Sequence, residues 1–249
     1  NRVVMTAMGI MLCDWNGCAT PEMVRFYEER AKGGVGMNIV EATYVARSGN
    51  SFDFGLGISD DFMIKGLSNL TEAVHRHDGK IAIQLQHGGR FGNPPTSGCP
   101  RLLVSMIPGL APTENSRVMD ADDIEGMVGA YVQAARRAVE AGFDAVEIHG
   151  AHGYLINQFL SPYTNRRTDY YGGSVANRAR FALEIIHGIR DACGPEFPIA
   201  IRISACEYLD YIGLPREAGI TLELSKEYAK LFQDAGADLL DVSSGIYET

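Results

Sequence analysis

The chain has 249 residues, of which 46% are hydrophobic and 21% are charged, and its 22 lysines and arginines against 31 acidic residues give a formal net charge of −9. This length is enough for one α/β barrel or two small domains. The acidic balance disfavours nonspecific binding to nucleic acid or to an anionic membrane, and no apolar run in the sequence approaches the ~20 residues that a membrane span requires.

The first third of the chain predicts two strands with a helix between them. Residues 3–8 form an apolar run that predicts the first strand. Thr20 and Pro21 have the order of an N-cap followed by a first-turn proline, which predicts a helix that ends at Gly33. Residues 37–43 predict the second strand.

The central third predicts a helix, a strand, a long loop and another helix. Apolar residues at helical spacing predict a helix that ends near Gly79, and residues 81–85 predict the third strand. Residues 87–120 are rich in glycine and proline and show no clear period, so we expect a long loop over the active-site face, a common place for a substrate lid. A helix capped by Asp122 or Asp123 is expected next and leads into the fourth strand.

The last third predicts two more strands. Apolar residues at helical spacing precede Gly194 and Gly236, and each glycine ends a predicted helix. Residues 199–204 and 239–243 predict the fifth and sixth strands. This alternation of strand and helix predicts a parallel sheet covered by helices, but a closed barrel of this kind needs eight strands. We therefore expect residues 1–249 to form a single incomplete (β/α)₈ barrel domain, truncated at both ends.

Polar residues occupy one face of three predicted strands toward their C-terminal ends. Side chains alternate along a strand, so Glu147 and His149 share a face, and the third and fifth strands carry Gln84 and Arg202 at similar positions. Parallel barrels carry their active sites at the C-terminal ends of the strands. We therefore predict that Gln84, His149 and Arg202 line one pocket, in preference to three separate core residues with satisfied hydrogen bonds.

The loop after the fourth strand adds His152 and Tyr154 to this group. The spacing Glu147-x-His149-x-x-His152 is compatible with three metal ligands. No second ligand cluster accompanies it, and the five cysteines are scattered without a Cys-x-x-Cys pair, which argues against a zinc site and against a disulfide framework. We therefore predict a cytoplasmic location, and we predict no resident metal because the motif described next gives both histidines a different role.

A long motif identifies a family that this chain resembles. Residues 149–181, HGAHGYLINQFLSPYTNRRTDYYGGSVANRARF, closely resemble the signature of the Old Yellow Enzyme family of FMN-dependent ene-reductases. Further segments resemble the same family: NRVVMTAM at 1–8, YEERAKGGVGMNIVEATYV at 27–45, QLQHGGR at 84–90 and IRISACEY at 201–208. The resemblance implies a (β/α)₈ barrel with FMN over its C-terminal mouth.

The resemblance also implies a role for each matching residue. His149 and His152 match the pair that donates hydrogen bonds to the oxygen of the substrate, and Tyr154 matches the proton donor. The flavin-contacting positions are matched by Thr6, Ala7, Met8, Ala42, Gln84 and Arg202. Of these, Gln84 would contact the pyrimidine and Arg202 would lie near the flavin N1 and the C2 oxygen.

The implied reaction is the reduction or formation of a C=C bond in a small α,β-unsaturated carbonyl or acyl-CoA compound. Hydride passes from reduced FMN to the β-carbon, two hydrogen-bond donors stabilise the negative charge on the oxygen, and the phenol protonates the α-carbon. NADH or NADPH would serve as the reductant. The unpaired edges of the first and sixth strands also allow association into a homo-oligomer.

Two features resemble the longer members of the family, such as the 2-enoate reductases. These are Gly9 and the final residues GIYET. Such members continue into segments that bind a 4Fe-4S cluster and FAD, so these cofactors are expected only if the parent chain is a long member. Barrels of this class commonly hold phosphate after strands seven and eight, and we therefore expect this chain by itself to bind FMN weakly.

Two alternative functions remain open at this stage. A flavin-free barrel lyase or isomerase could use the histidines and Tyr154 as acid and base. An incomplete barrel could also be catalytically inactive. Absorbance in the flavin bands would separate the flavoenzyme from the flavin-free enzyme.

Overall fold

The computed structural model describes residues 1–109 and 114–249, and its main feature is a six-stranded parallel sheet. The sheet has the strand order β1-β2-β3-β6-β7-β8. Its strands are β1 (Val4–Met5), β2 (Met37–Tyr44), β3 (Lys80–Gln86), β6 (Ala145–Gly150), β7 (Ile199–Ser204) and β8 (Leu239–Ser243). Two short strands, β4 (Arg101–Leu103) and β5 (Ser116–Val118), pair separately. The predicted incomplete barrel is confirmed, and the six strands of the main sheet follow one another in the predicted order.

Helices connect the strands and cover one face of the sheet. They are α1 (Pro21–Lys32), α2 (Ile64–His75), α3 (Pro94–Ser97), α4 (Ala121–Glu140), α5 (Leu155–Leu160), α6 (Val175–Cys193) and α7 (Leu222–Asp234). Short 3₁₀ turns lie at Arg47–Gly49, Asp61–Met63, Gly89–Phe91, Leu209–Ile212 and Arg216–Ala218. Among the described residues, no helix has the length and apolar character needed to cross a membrane.

The two faces of the sheet bury different residues. On β3, Ile81, Ile83 and Leu85 belong to the large apolar core shared with the helices. The opposite face starts with a small separate cluster that includes Ala82 and Ala145. These alanines pair across β3 and β6, and the next pair on the same face is polar. On this face the residues are small near the N-terminal ends of the strands and polar toward their C-terminal ends. The reactive side chains are therefore expected at the C-terminal edge of the sheet.

Two predicted boundaries are wrong. The first strand is only Val4–Met5, because just these two residues pair with β2, so Thr6 and Met8 lie in the following loop. The helix after the long loop is capped by Asp120 rather than by Asp122 or Asp123. Asp120 accepts a hydrogen bond from the backbone N–H of Asp123, whose carboxylate in turn accepts one from the N–H of Asp120.

The segment predicted as one long loop contains ordered structure. The 3₁₀ turn Gly89–Phe91, helix α3 and the paired strands β4 and β5 all fall between residues 87 and 120. Residues 110–113 lie outside the described residues. The expectation that this segment acts as a substrate lid stays a prediction.

Candidate active site

A cavity of about 160 Å³ lies at the C-terminal edge of the sheet, where the sequence predicts a pocket. Its lining residues are Ala7, Gly9, Ala42, Phe52, Gln84, His149, His152, Tyr154 and Arg202. Seven of the nine predicted site residues are in this group. The other two, Thr6 and Met8, lie in the exposed loop after β1 and do not line the cavity.

A larger surface groove contains none of the predicted site residues. It has a volume of about 430 Å³ and is lined by residues that include Arg47, Phe62 and Arg137. Arg137 there forms an ion pair with Asp61. The smaller cavity is therefore the one that brings the predicted chemistry together.

Strand register explains why distant residues meet in the cavity. Gln84 on β3 pairs with Glu147 on β6. His149 pairs with Arg202 on β7, and Arg202 pairs with Asp241 on β8. Paired residues of parallel strands point to the same face. Polar side chains therefore lie together across four neighbouring strands, and three of them, Gln84, His149 and Arg202, line the cavity.

The His149 ring is buried and neutral. Its side chain is 3% exposed, and Nδ1 has no hydrogen-bond partner among the described residues. Burial is the main cause that lowers the pKa of His149 well below its ordinary value, and His152 and Arg202 lower it further. At neutral pH this ring carries one N–H and one acceptor nitrogen.

His152 lies on a loop whose backbone conformation is unusual. Its φ is +60°, in the left-handed region that non-glycine residues rarely occupy. Its backbone N–H donates to Ser204 Oγ at 3.0 Å, and its Nε2 lies 2.7 Å from Ser243 Oγ. Burial, assisted by Arg202, lowers the pKa of His152 to about 4, so this ring is also neutral at pH 7. The ring centroids of His149 and His152 are 5.1 Å apart.

Helix α5 holds the loop that carries His152 and Tyr154. Asn157 Oδ1 accepts a hydrogen bond from the N–H of Gly153, and Gln158 Nε2 donates to the carbonyl of Gly153 at 2.6 Å. Asn157 in turn donates to the buried carboxylate of Glu207 at 3.1 Å. The left-handed turn is therefore fixed by buried amide side chains, which offset its conformational cost.

Tyr154 lies among other aromatic rings. Its side chain is 6% exposed, and its ring centroid is 5.0 Å from that of His149. Phe52, Phe91 and Tyr247 contact it edge-on at centroid distances of 6.5, 6.1 and 6.4 Å. Burial raises the pKa of Tyr154 above its ordinary value, with a smaller contribution from Tyr247. The phenol is therefore protonated at neutral pH, as a proton donor must be.

The other cavity residues fit a flat ring with polar edges. Ala7, Gly9 and Ala42 have small side chains or none, and a Cβ added at Gly9 would meet no atom within 4 Å. Arg202 Nη1 donates to the carbonyl of Ala7 at 3.1 Å, and this hydrogen bond fixes the loop after β1 against the Arg202 side chain. Unpartnered buried polar atoms, such as His149 Nδ1, are groups that a bound ligand can satisfy. These residues fit a flavin ring.

Glu147 and the two histidines do not form a metal centre. Within residues 1–109 and 114–249, no group of three or more His, Cys, Asp or Glu side chains is arranged to hold a metal ion. The Glu147 carboxylate instead accepts a hydrogen bond from Gln84 Nε2 at 2.5 Å.

The sequence analysis missed Phe52, which lines the cavity, and two residues that contact its lining: Asp241 beside Arg202 and Ser243 beside His152. Asp241 and Ser243 stand two positions apart on β8, next to Arg202 and Ser204 of β7 in the sheet. The same alternation that singled out Arg202 would have found them. Phe52 lies in the loop after β2, where no periodic signal exists.

Comparison with known proteins identifies the family. Residues 1–245 match the model of the NADH:flavin oxidoreductase / NADH oxidase family. The chain belongs to this family. Its curated relatives include an NADH oxidase of Thermoanaerobacter brockii, 41% identical over 100% of this chain and 38% of that protein. They also include an NADPH dehydrogenase of Geobacillus sp. (strain WCH70), 43% identical over 98% of this chain and 69% of that protein.

Solved structures agree on family and fold. A 2-naphthoyl-CoA reductase in complex with 2-naphthoyl-CoA superposes with a TM-score of 0.92 and 30% identity, covering 100% of this chain and 39% of that one. An Old Yellow Enzyme homologue from Zymomonas mobilis gives a TM-score of 0.85 and 30% identity, covering 97% of this chain and 69% of that one. The resemblance to the Old Yellow Enzyme family is therefore confirmed, and the chain spans less than half the length of some members of this oxidoreductase family.

Proposed function

We propose that this barrel binds FMN and reduces the C=C bond of α,β-unsaturated carbonyl or acyl-thioester compounds, with NADH or NADPH as the source of hydride. The observation that carries the proposal is the convergence of His149, His152 and Tyr154 with Gln84 and Arg202 around one cavity. The relatives support the same chemistry, since one is named as a reductase of an aromatic acyl-CoA and others as NADH and NADPH enzymes.

The two histidines form the proposed binding site for the substrate oxygen. Both are neutral, and their ring centroids are 5.1 Å apart, so each can direct one N–H to the same carbonyl oxygen. When bound, a reduced flavin supplies the hydride that the substrate β-carbon accepts. As charge develops on the substrate oxygen, the two N–H donors stabilise it, and each is typically worth ~3 kcal/mol at such a position.

Tyr154 is the proposed proton donor. Its phenol is protonated and its ring lies beside that of His149, so it can deliver a proton to the α-carbon of a substrate held by the histidine pair. The rings of Phe52, Phe91 and Tyr247 pack around the Tyr154 ring and hold it beside the cavity. Gln84 and Arg202 are the proposed ligands of the flavin pyrimidine, with Arg202 supplying the positive charge.

The decisive experiment is a comparison of two half-reactions in the FMN-loaded protein that contains this chain. Tyr154→Phe should leave the reduction of FMN by the nicotinamide nearly unchanged. It should slow reoxidation by an enone by 10²-fold or more, since general acid catalysis contributes about 10²–10⁴-fold. Stopped-flow absorbance at the flavin band measures both steps.

The matched control is Tyr170→Phe, because Tyr170 is 78% exposed and lies outside the cavity. This control should change neither rate. Equal slowing of both half-reactions in Tyr154→Phe would remove Tyr154 from the donor role. Failure of the wild-type protein to bind FMN would instead reject the flavoenzyme proposal and favour the flavin-free alternatives.

A further inference from the structure

Glu147 is a fully buried carboxyl group to which the proposed reaction assigns no role. It is 0% exposed and stands two residues before His149, on the face of β6 that forms the cavity wall. One oxygen, Oε2, accepts the hydrogen bond from Gln84 Nε2 at 2.5 Å. The other, Oε1, has no hydrogen-bond donor among the described residues.

The carboxyl group next to the unpartnered oxygen of Glu147 belongs to Asp241 on β8. The Glu147 carboxyl contacts the carboxyl of Asp241, whose Oδ2 also lacks a hydrogen-bond donor among the described residues. Arg202 Nε lies 3.3 Å from Asp241 Oδ2, an ion pair whose alignment falls short of a hydrogen bond. Arg202 therefore offsets part of the negative charge but does not satisfy these two oxygens.

One proton shared between Glu147 and Asp241 would give both unpartnered oxygens a hydrogen-bond partner. Two buried carboxylates in contact cannot both be ionised without a large cost, and a proton between them gives each oxygen a partner. Burial is the main cause that raises the pKa of Glu147, the hydrogen bond from Gln84 opposes it, and the charge of Asp241 raises it further. The groups that face Glu147 are thus Gln84 of β3, Arg202 of β7 and Asp241 of β8.

We propose that Glu147 and Asp241 share one proton and act as a pair of positioning residues that orient Gln84 and Arg202 toward the bound cofactor. This inference rests on the proposed FMN site. In the pair, Glu147 Oε2 can only accept, so the Gln84 amide must turn an N–H toward Glu147. Gln84 Oε1 would then be free to accept a hydrogen bond from a ring N–H of the cofactor, and Asp241 would orient the Arg202 guanidinium through their ion pair.

The pair also links protonation to cofactor reduction. Gln84 and Arg202, which would hold the pyrimidine end of the cofactor, contact the pair directly, so negative charge gained at that end on reduction would raise the affinity of the pair for the shared proton. In the pH range where the oxidised protein has lost that proton and the reduced protein keeps it, reduction takes up one additional proton. Two protons instead of one then accompany two electrons, so the midpoint potential falls about twice as steeply with pH in that range.

Amide substitutions separate this role from a structural one. In Glu147→Gln, the new amide can donate to Asp241 and accept from Gln84, which reproduces the protonated pair with the same net charge. Asp241→Asn does the same from the other side. Both variants should therefore keep FMN affinity within about threefold of wild type, while the steep part of the curve of potential against pH disappears. Infrared spectra should show a protonated carboxylic acid band in wild type that both variants lose.

Glu147→Leu tests the orientation of Gln84. This variant leaves the Gln84 amide and Asp241 without their partner and should weaken FMN binding by about tenfold or more. If oxidised and reduced FMN are affected unequally by tenfold, the midpoint potential shifts by about 30 mV. The control is Asp144→Asn, at the opposite end of β6, where the carboxylate pairs with Lys80 and His75.

The outcomes distinguish this inference from the proposed function. A wild-type protein that binds FMN but shows a uniform slope of potential with pH and no carboxylic acid band would overturn the shared proton and leave the FMN site intact. The shared proton would also be overturned if the midpoint potential kept its steep pH dependence in both Glu147→Gln and Asp241→Asn. No FMN binding by the wild-type protein would overturn both proposals.

Discussion

At the scale of single residues, burial decides which protonation state the site can use. His149 and His152 lie near Arg202 in a buried wall, so both rings stay neutral at pH 7 and each offers one N–H. The same burial keeps the Tyr154 phenol protonated. All three groups are thus neutral and carry a proton, which suits the two histidines to the proposed stabilisation of the substrate oxygen and Tyr154 to the proposed proton transfer.

Ser243 is placed to select which nitrogen of His152 carries the proton. Its hydroxyl lies 2.7 Å from His152 Nε2, and if it donates there, the N–H is fixed on Nδ1. Ser243→Ala removes this preference and should weaken the binding of a phenol, an analogue of the substrate oxygen, by up to about tenfold. Titration of the flavin charge-transfer band with the phenol measures this affinity.

The neighbouring Ser244 provides the control for this variant. It is exposed and does not line the cavity, so Ser244→Ala should leave the affinity for the phenol unchanged. Equal affinity in wild type and Ser243→Ala would mean that the hydroxyl does not orient the ring.

Part of the site was predictable from strand alternation, which carries information across long separations, whereas Ala7 and Ala42 followed only from the family resemblance. Gln84, His149 and Arg202 were found from the sequence because each stands near the end of a strand with a clear apolar face. The register of β3, β6 and β7 then made them neighbours. The proximity of Glu147 to Asp241 was not predictable, since it depends on how the side chains bend inside the curved sheet.

At the scale of elements, the start of α4 shows how a cap is misassigned. Three acids, Asp120, Asp122 and Asp123, stand together, and any of them could cap a helix by residue type. The structure selects Asp120, because its partner at the third helical position is Asp123 and the two form a reciprocal capping box. Arg117 adds a bidentate ion pair to Asp123 and strengthens this choice.

The cap can be tested by its stability effect. Asp120→Ala removes the acceptor for the N–H of Asp123 and should lower the free energy of unfolding by about 1 kcal/mol. Asp122 is exposed and lies two residues after the cap. Asp122→Ala should lower the free energy of unfolding by less than about half of that amount, because it loses only a weak interaction with the helix dipole. Urea unfolding of both variants measures the difference. Equal losses would contradict the assignment of Asp120 as the cap.

Short elements escaped prediction for a physical reason. Strands β4 and β5 have three residues each and stabilise one another by pairing rather than by a periodic apolar face. Helix α5 has six residues, all buried, and shows no amphipathic period. Such elements form because tertiary contacts satisfy them, so local sequence carries little signal for them.

At the scale of the whole molecule, the alternation of strand and helix was enough to predict the order of the main sheet. The outermost strands, β1 and β8, each pair on one side only within the described residues. β8 leaves Leu240 and Val242 exposed at 38% and 61%. The cavity spans β2 to β7 and the loop after β1, so its polar wall depends on the curvature of the entire sheet.

The stability of the whole fold should fall on acidification because buried histidines remain neutral. His87 is 1% exposed; its Nδ1 accepts a hydrogen bond from the N–H of Gly89, and its Nε2 lies 3.0 Å from Ser48 Oγ. Burial lowers the pKa of His87 to about 3. A histidine in the unfolded chain takes up a proton below about pH 6.5, so between these two values the unfolded state binds more protons and the free energy of unfolding decreases.

His87→Asn isolates this contribution. The asparagine oxygen can still accept from Gly89 but cannot titrate, so the variant should be less stable than wild type near neutral pH and should lose less on acidification. For one histidine shifted in this way, the loss avoided between about pH 7.5 and about pH 4.5 is about 3 kcal/mol. Urea unfolding at both pH values and at constant FMN concentration measures it, with His187→Asn on the exposed face of α6 as the control. Parallel losses in wild type and His87→Asn would show that His87 is already protonated in the folded protein, and its two hydrogen bonds would then need a different assignment.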